Sequence, residues 1–523
     1  MTRSQLLALG QALPILKLLL MCACFWIALA AWALASPVGS SPDEDFHQTM
    51  IYCSASGDSA LCLNNGVRVG SCYTMSPTVS ASCSNDATNV LPSATKIDLL
   101  QTLPIYYKTM SYLIGQNLGE TTINVRLANV TLAVLFAIFS VHLTHPSFKR
   151  PVAISWVISS VPVGIYFIAS INTSAWIIIS VAALWGPLIT ILMAHKTSFS
   201  SNIYSINFYL IRILFVLLAC LVAFGARNEA FIYIPLTFCL AFLYFFVDFN
   251  VNFKQIKLKK IITIFSIIFI TLFFLYLFLS YIDQPFLKAE AHLRNSLFHV
   301  LTEYFSNPTW KTFQLSANSL LGTFALTGVP GSEIGTHDVP TPALASFFIT
   351  FSFAGSFLLG IGNIYRAKAI SLTFTICSLF FIVTLLWSAA TWDIHQSRYF
   401  LPMVYVILGL ALLPKLGESF SYNKMQWFFI LISAAIANCL MLLSTVLRFI
   451  YGAFFQKTRY PLNLEAPEIN PAKLFYADLP NWWLGHETLT PFILWVFGSF
   501  SFLFGVILLW CWVIESKPTP CSK

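Results

Sequence analysis

Apolar positions in this chain gather in long unbroken stretches. They do not alternate as strands do, nor form the narrow stripe of a surface helix. Twelve such stretches stand out, near 13–35, 124–143, 152–170, 175–194, 205–224, 229–247, 261–282, 343–363, 370–390, 399–414, 426–450 and 491–514. Most hold about 20 residues, the length of helix that crosses about 30 Å of hydrocarbon. The pattern predicts an all-α polytopic membrane protein of about twelve transmembrane helices. Its parts are a first helix in 1–35, a polar loop over 36–123, helices two to seven over 124–282, a loop over 283–342, helices eight to eleven over 343–450, a loop over 451–490, and the last helix with its tail over 491–523. Within the first loop, "KIDLLQTLPIYYKTMSYLIGQNL" predicts one or two short amphipathic helices lying on the membrane surface.

Composition strengthens this picture. Of 523 residues, 57% are hydrophobic and 10% charged, against roughly 25% charged in soluble domains. The net charge of +8 does not point to nucleic acid, because the basic residues sit in short loops between apolar runs, such as Lys149–Arg150, Lys257–Lys260 and Arg366–Lys368. That distribution follows the positive-inside rule. It sets both termini on the cytoplasmic side of the membrane and the three large polar segments on the outside. Small residues in "WALAS" fit a signal-peptidase site, but the apolar run before them is long for a signal peptide, so a retained first helix is expected.

Four of the twelve cysteines, Cys53, Cys62, Cys72 and Cys83, share the first loop at spacings of about ten. In an oxidising compartment they read as two disulfides of unspecified pairing. Zinc is the alternative, and the C-x-x-C spacing it favours is missing.

Three polar clusters carry candidate chemistry. In "SPDEDFH", Asp43, Glu44 and Asp45 precede His47 directly after the first span. One reading is a capping box, with Ser41 as N-cap, Pro42 at N1 and Glu44 at N3. The other puts Asp43 and Glu44 on one helical face with His47, at i,i+4 and i,i+3, where carboxylate and imidazole can take a proton or hold a divalent metal. In "TWDIHQSRYFLP", Arg398 suits a phosphate group, with His395, Gln396 and Tyr399 beside it; a snorkelling arginine with an interfacial tyrosine is the plainer account. In "FGARNEAF", Arg227 and Glu229 form either a local ion pair or a lipid-phosphate contact. Arg212 lies inside an apolar span and should face the bundle or a polar cavity. Trp482 and Trp483 fit an aromatic belt or a sugar platform. The Asn-x-Ser sequon at Asn172 falls in a short loop. No Walker loop, GxGxxG or HExxH occurs, which argues against ATP-driven or nicotinamide chemistry.

"SPDEDFH", "LPIYYKTM", "ASINTSAWIIISVAALW", "GTHDVPTPALA" and "HQSRYFLP" occur in this order. Together they resemble the bacterial membrane-protein family DUF2142, from about Ser36 to Pro402. That family is similar in architecture to GT-C glycosyltransferases, which take sugars from polyprenyl-phosphate donors on the outer face. The resemblance implies a GT-C-like, inverting glycosyltransferase with Asp43 or Glu44 as general base or metal ligand and His47 alongside. It implies a donor site of Arg398 and Tyr399, with Arg227, His395, Gln396 and Asp338 completing the substrate-binding set. The third acid, Asp45, departs from the pattern and leaves the working carboxylate undecided. Expected partners are a polyprenyl-phosphate sugar lipid, a glycan acceptor and membrane lipids, with no nucleic acid. No cofactor is required, and a divalent metal stays open. A transporter of a lipid-linked sugar would share the spans but show broken helices with polar groups at midplane. A scaffold for envelope assembly would tolerate acid-to-amide changes at Asp43 and Glu44.

Overall fold

The computed structural model describes residues 3–56, 73, 80–81, 104–194, 206–227, 229–248, 339, 341–362, 400–414, 423–451 and 490–515. These residues are helices and their connections. In chain order the helices are α1 (Arg3–Ala35), α2 (Glu44–Ser56), α3 (Pro104–Ser111), α4 (Leu118–Leu143), α5 (Lys149–Ser160), α6 (Val163–Ile168), α7 (Ser174–Ala194), α8 (Ile206–Phe224), α9 (Ala230–Asp248), α10 (Ala343–Gly362), α11 (Leu401–Leu412), α12 (Lys424–Tyr451) and α13 (Pro491–Glu515). Among the described residues seven helices, within α1, α4, α7, α8, α10, α12 and α13, are long and apolar enough to cross a membrane. The stretches expected to span at 261–282 and 370–390 lie outside the described residues.

An apolar helix shows its surroundings by which of its faces are buried. α7 is apolar all round and its spanning stretch is wholly buried, as a helix at the centre of a bundle must be. α4, α8, α9 and α11 pack against it. α1 and α13 lie side by side, and α12 joins α13 to α10. These outer helices keep one apolar face open, with Leu16 and Leu19 on α1 and Phe497 and Phe500 on α13 more than 60% exposed. Such faces belong against lipid tails. Trp32 ties α1 to α12, its indole N–H donating to Asn438 Oδ1 at 2.9 Å.

Three expectations need correction. The span expected at 152–170 is two short helices, α5 and α6, interrupted at Val161 and Pro162. Pro162 has no N–H to give, and the residue before a proline is pushed from the helical region; Val161 is extended, at φ −86° and ψ 132°. From Pro151 onwards every residue of both pieces is buried, which is where a break in the backbone ladder is tolerated. The span expected at 399–414 is α11, twelve fully buried residues. At 1.5 Å per residue it rises about 18 Å, too little to cross, and Pro414 follows its end. The surface-lying amphipathic segment is the eight-residue α3. Its Tyr106, Tyr107 and Met110 are buried and Lys108 and Thr109 exposed, so α3 is amphipathic but turns its apolar face to the protein, beside α2, and not to a membrane surface.

Candidate functional site at the mouth of the first helix

The segment linking α1 to α2, residues 36–43, would expose a row of backbone carbonyls if left alone. The fold satisfies them with side chains from distant elements. Arg126, on apolar α4 and wholly buried, donates from Nη1 to Ala33 O at 2.9 Å and to Ser36 O. Its Nη2 reaches Pro37 O at 2.8 Å. Tyr73 donates to Val38 O at 2.6 Å, Tyr166 to Ser40 O at 2.7 Å, and Asn172 Nδ2 to Pro42 O at 2.9 Å. Gly39 turns the segment at φ 81°, a conformation open to glycine.

Glu44 closes this network. Its Oε1 accepts from Arg126 Nε at 3.0 Å and from Ile171 N at 3.1 Å. Its Oε2 accepts from Arg126 Nη2 at 2.8 Å and from Ser41 N at 3.1 Å. A carboxylate has about four acceptor sites, and here all are used. The contact with Ser41 is half of the expected capping box. The other half is absent: Ser41 Oγ is buried without a hydrogen-bond partner, and α2 starts at Glu44. Glu44 therefore points into the bundle as a paired structural group.

The neighbouring acids take different surroundings. Asp43 is exposed and has φ 61°, a left-handed backbone that Asp tolerates better than most residues but that still marks local strain. Its carbonyl accepts from His47 N at 2.9 Å, so Asp43 caps α2 from outside the helix. Asp45 is half-buried, and desolvation raises its carboxyl above the usual range against opposing backbone hydrogen bonds.

His47 is buried, its Nδ1 at 2.8 Å from the Tyr107 hydroxyl and its ring stacked on the phenol at 5.9 Å. Burial pushes the Tyr107 hydroxyl well above the ordinary phenol. Arg227 pulls it down through space, while Tyr106, Asp43 and Glu229 push it further up. Those influences put Asp43, His47, Tyr107, Arg227 and Glu229 in one neighbourhood. The turn between α8 and α9 is anchored there by Tyr106 N donating to Gly225 O at 3.0 Å. Arg227 pairs with Glu229 at 2.6 Å and donates from Nη1 to Ser174 Oγ at 3.0 Å. Both partners of the pair remain partly exposed.

Of the residues expected from sequence, Asp43, His47 and Arg227 come together at this end, and Glu44 turns away into the core. Asp338, His395, Gln396, Arg398 and Tyr399 lie outside the described residues. Cys53 takes part in a disulfide, and Cys62, Cys72 and Cys83 also lie outside. Asn172 is wholly buried, so its sequon serves the turn and not a glycan. Among the described residues no three His, Cys, Asp or Glu side chains gather as a metal site. Sequence reading passed over Arg126 and Tyr107. The signal for Arg126 was its position inside an apolar span, where a charge needs a partner.

The polar network joins "SPDEDFH", "LPIYYKTM" and "ASINTSAW" into one structure, three segments that are far apart along the chain. A family model described as "Predicted membrane protein (DUF2142)" matches residues 24–407 and so covers all three. The chain belongs to the DUF2142 family. Searches of curated proteins and of solved structures gave no match. In this DUF2142 protein the matched region begins in α1 and ends in α11, so α12 and α13 complete the bundle beyond it.

Proposed function

We propose that this DUF2142 protein is a GT-C-like, inverting glycosyltransferase that moves a sugar from a polyprenyl-phosphate donor to a cell-envelope glycan or other hydroxyl acceptor. The observation that carries the reading is the split within the acid triplet. Glu44 is saturated by four donors, whereas Asp43 is exposed, its carbonyl accepts from His47 N and its charge, like that of Arg227, is felt at Tyr107. A base must be within reach of a substrate proton and keep a lone pair for it. Glu44, with every acceptor site taken, fails that need, and Asp43 is the acid of the pair that a substrate can reach.

In the proposed reaction the acceptor oxygen attacks the anomeric carbon from the face opposite the phosphate. The carbon–oxygen bond to phosphate breaks and the electron pair leaves on the polyprenyl phosphate. The hydroxyl proton passes to Asp43. Arg227, steadied by Glu229 and Ser174, stabilises the growing phosphate charge, together with Arg398 from the sequence-based set. His47 and Tyr107 form the wall of the site and orient the acceptor. The basic loops favour a multi-pass plasma-membrane protein with both termini cytoplasmic, which would put this site on the outer face, where disulfides in the first loop would be stable.

A second reading, a carrier for a lipid-linked sugar, draws on the α5–α6 break. There Ser160 Oγ lies 2.8 Å from the Tyr405 hydroxyl in the middle of the bundle, the polar discontinuity a transporter uses. The deciding experiment reconstitutes the protein with a polyprenyl-phosphate sugar and an acceptor. Asp43→Asn should stop product formation while Ser160→Ala leaves it intact. No product from the parent, with the sugar lipid instead crossing the bilayer and Ser160→Ala slowing that movement, would favour the carrier.

A further inference from the structure

The end of the bundle away from Asp43 carries a second feature that the sugar-transfer reading does not use. A cavity of about 680 Å³ lies between α1, α4, α5, α6 and α13, within the range of pockets that bury a drug-sized ligand. Phe25, Ala137, Trp156 and Phe502 form part of its apolar wall. Lys17, His142 and Lys149 also line it. Lys17 precedes Ala35 by about 27 Å along α1, and His142 follows Arg126 by about 24 Å along α4. The three basic residues therefore mark the far rim of the bundle, in the leaflet opposite Asp43.

More positive charge stands behind them. Arg212, buried on α8, donates from Nε to Leu143 O at 2.7 Å, one residue from His142. Its guanidinium lies over the Phe208 ring at 5.8 Å. His145 follows in the next turn, and its imidazole is held down to about 4 by burial, then by Arg212 and Lys149. Arg212 and Lys149 thus both act on His145, in surroundings where charge is poorly screened.

We infer that this cavity is a binding site for an anionic lipid, whose apolar tail enters between α1, α4 and α13 while its phosphate sits among Lys17, His142 and Lys149. Tail and headgroup chemistry are met by adjacent surfaces of one opening, and basic pockets between membrane helices favour phosphate headgroups. The site is independent of the sugar-transfer reading and would exist in a carrier or a scaffold.

Native mass spectrometry of the full chain in detergent, titrated with phosphatidylglycerol or phosphatidylcholine, tests it. One phosphatidylglycerol should be retained at concentrations where phosphatidylcholine is lost. Lys17→Gln and Lys149→Gln, both at partly open positions, should each weaken that retention about fivefold with unchanged thermal unfolding. Ala137→Phe, which fills the cavity, should weaken it without removing charge. Equal retention of the two lipids, or retention indifferent to both lysines, would overturn the inference. So would inorganic phosphate displacing the lipid while Ala137→Phe has no effect, since the site would then hold a free anion.

Discussion

Arg126 and Arg212 stand inside apolar helices of this protein, at opposite ends of the bundle, and their surroundings differ. Arg126 meets Glu44 with two hydrogen bonds and holds carbonyls of Ala33, Ser36 and Pro37. Arg212 bonds the Leu143 carbonyl and stands among His142, His145 and Lys149. The first arginine has its counter-charge built into the chain and serves the fold. The second adds its charge to a basic rim. A buried cation is thus informative only through what surrounds it.

The largest expected effect breaks the first of these arrangements. Arg126→Met would leave Glu44 buried without its partner, and removing one member of a buried pair typically costs about 3–5 kcal/mol. Thermal unfolding in detergent should show a large fall or loss of folded protein. Combining Arg126→Met with Glu44→Leu should recover part of the loss. The contrasting change at the other end, Arg212→Met, should be milder, because it removes the bond to Leu143 O while relieving its repulsion of protonated His145. A fall as large as that of Arg126→Met would erase the distinction.

A smaller effect is expected at the site. Tyr107→Phe removes one hydrogen bond to buried His47, worth about 1 kcal/mol, and should lower the unfolding midpoint modestly while altering acceptor KM more than stability. The smallest concerns Asp45. Its folded carboxyl titrates above its ordinary range, so the folded state binds the proton more tightly than the unfolded chain does. Stability is therefore lost as pH rises through the window between the two values and stays lower above it. Asp45→Asn should raise stability near neutral pH by about 0.5 kcal/mol or less. The gain should shrink as pH falls through the folded value, as pH-dependent unfolding would show.

The sequence made the helical membrane character legible because apolar runs report length directly. It also located α1, α4, α7, α8, α10, α12 and α13. The breaks were harder. A run such as 152–170 stays apolar through its interruption, since Val161 and Pro162 are themselves apolar and the pieces are buried on every side. α11 is apolar for the same reason, and only its length separates a core helix from a span. At the site, "SPDEDFH" announced acids near the membrane, but which acid faces solvent depends on Arg126, 82 residues away. Long-range pairing of that kind leaves no local periodicity to read. Arg227 was visible as a charged turn, and its nearness to His47 needed Tyr107 on α3 to join them.

The central claim is that two adjacent acids divide structure from chemistry. It is tested most directly by purifying Asp43→Asn and Glu44→Gln and measuring unfolding and sugar transfer on the same samples. Asn accepts the left-handed backbone at position 43, so Asp43→Asn should unfold as the parent does and lose about 10²–10⁴ in rate. Glu44→Gln should unfold at a clearly lower temperature, and whatever remains folded should keep transfer activity. Full activity in Asp43→Asn, or a Glu44→Gln protein that is as stable as the parent but inactive, would contradict the account.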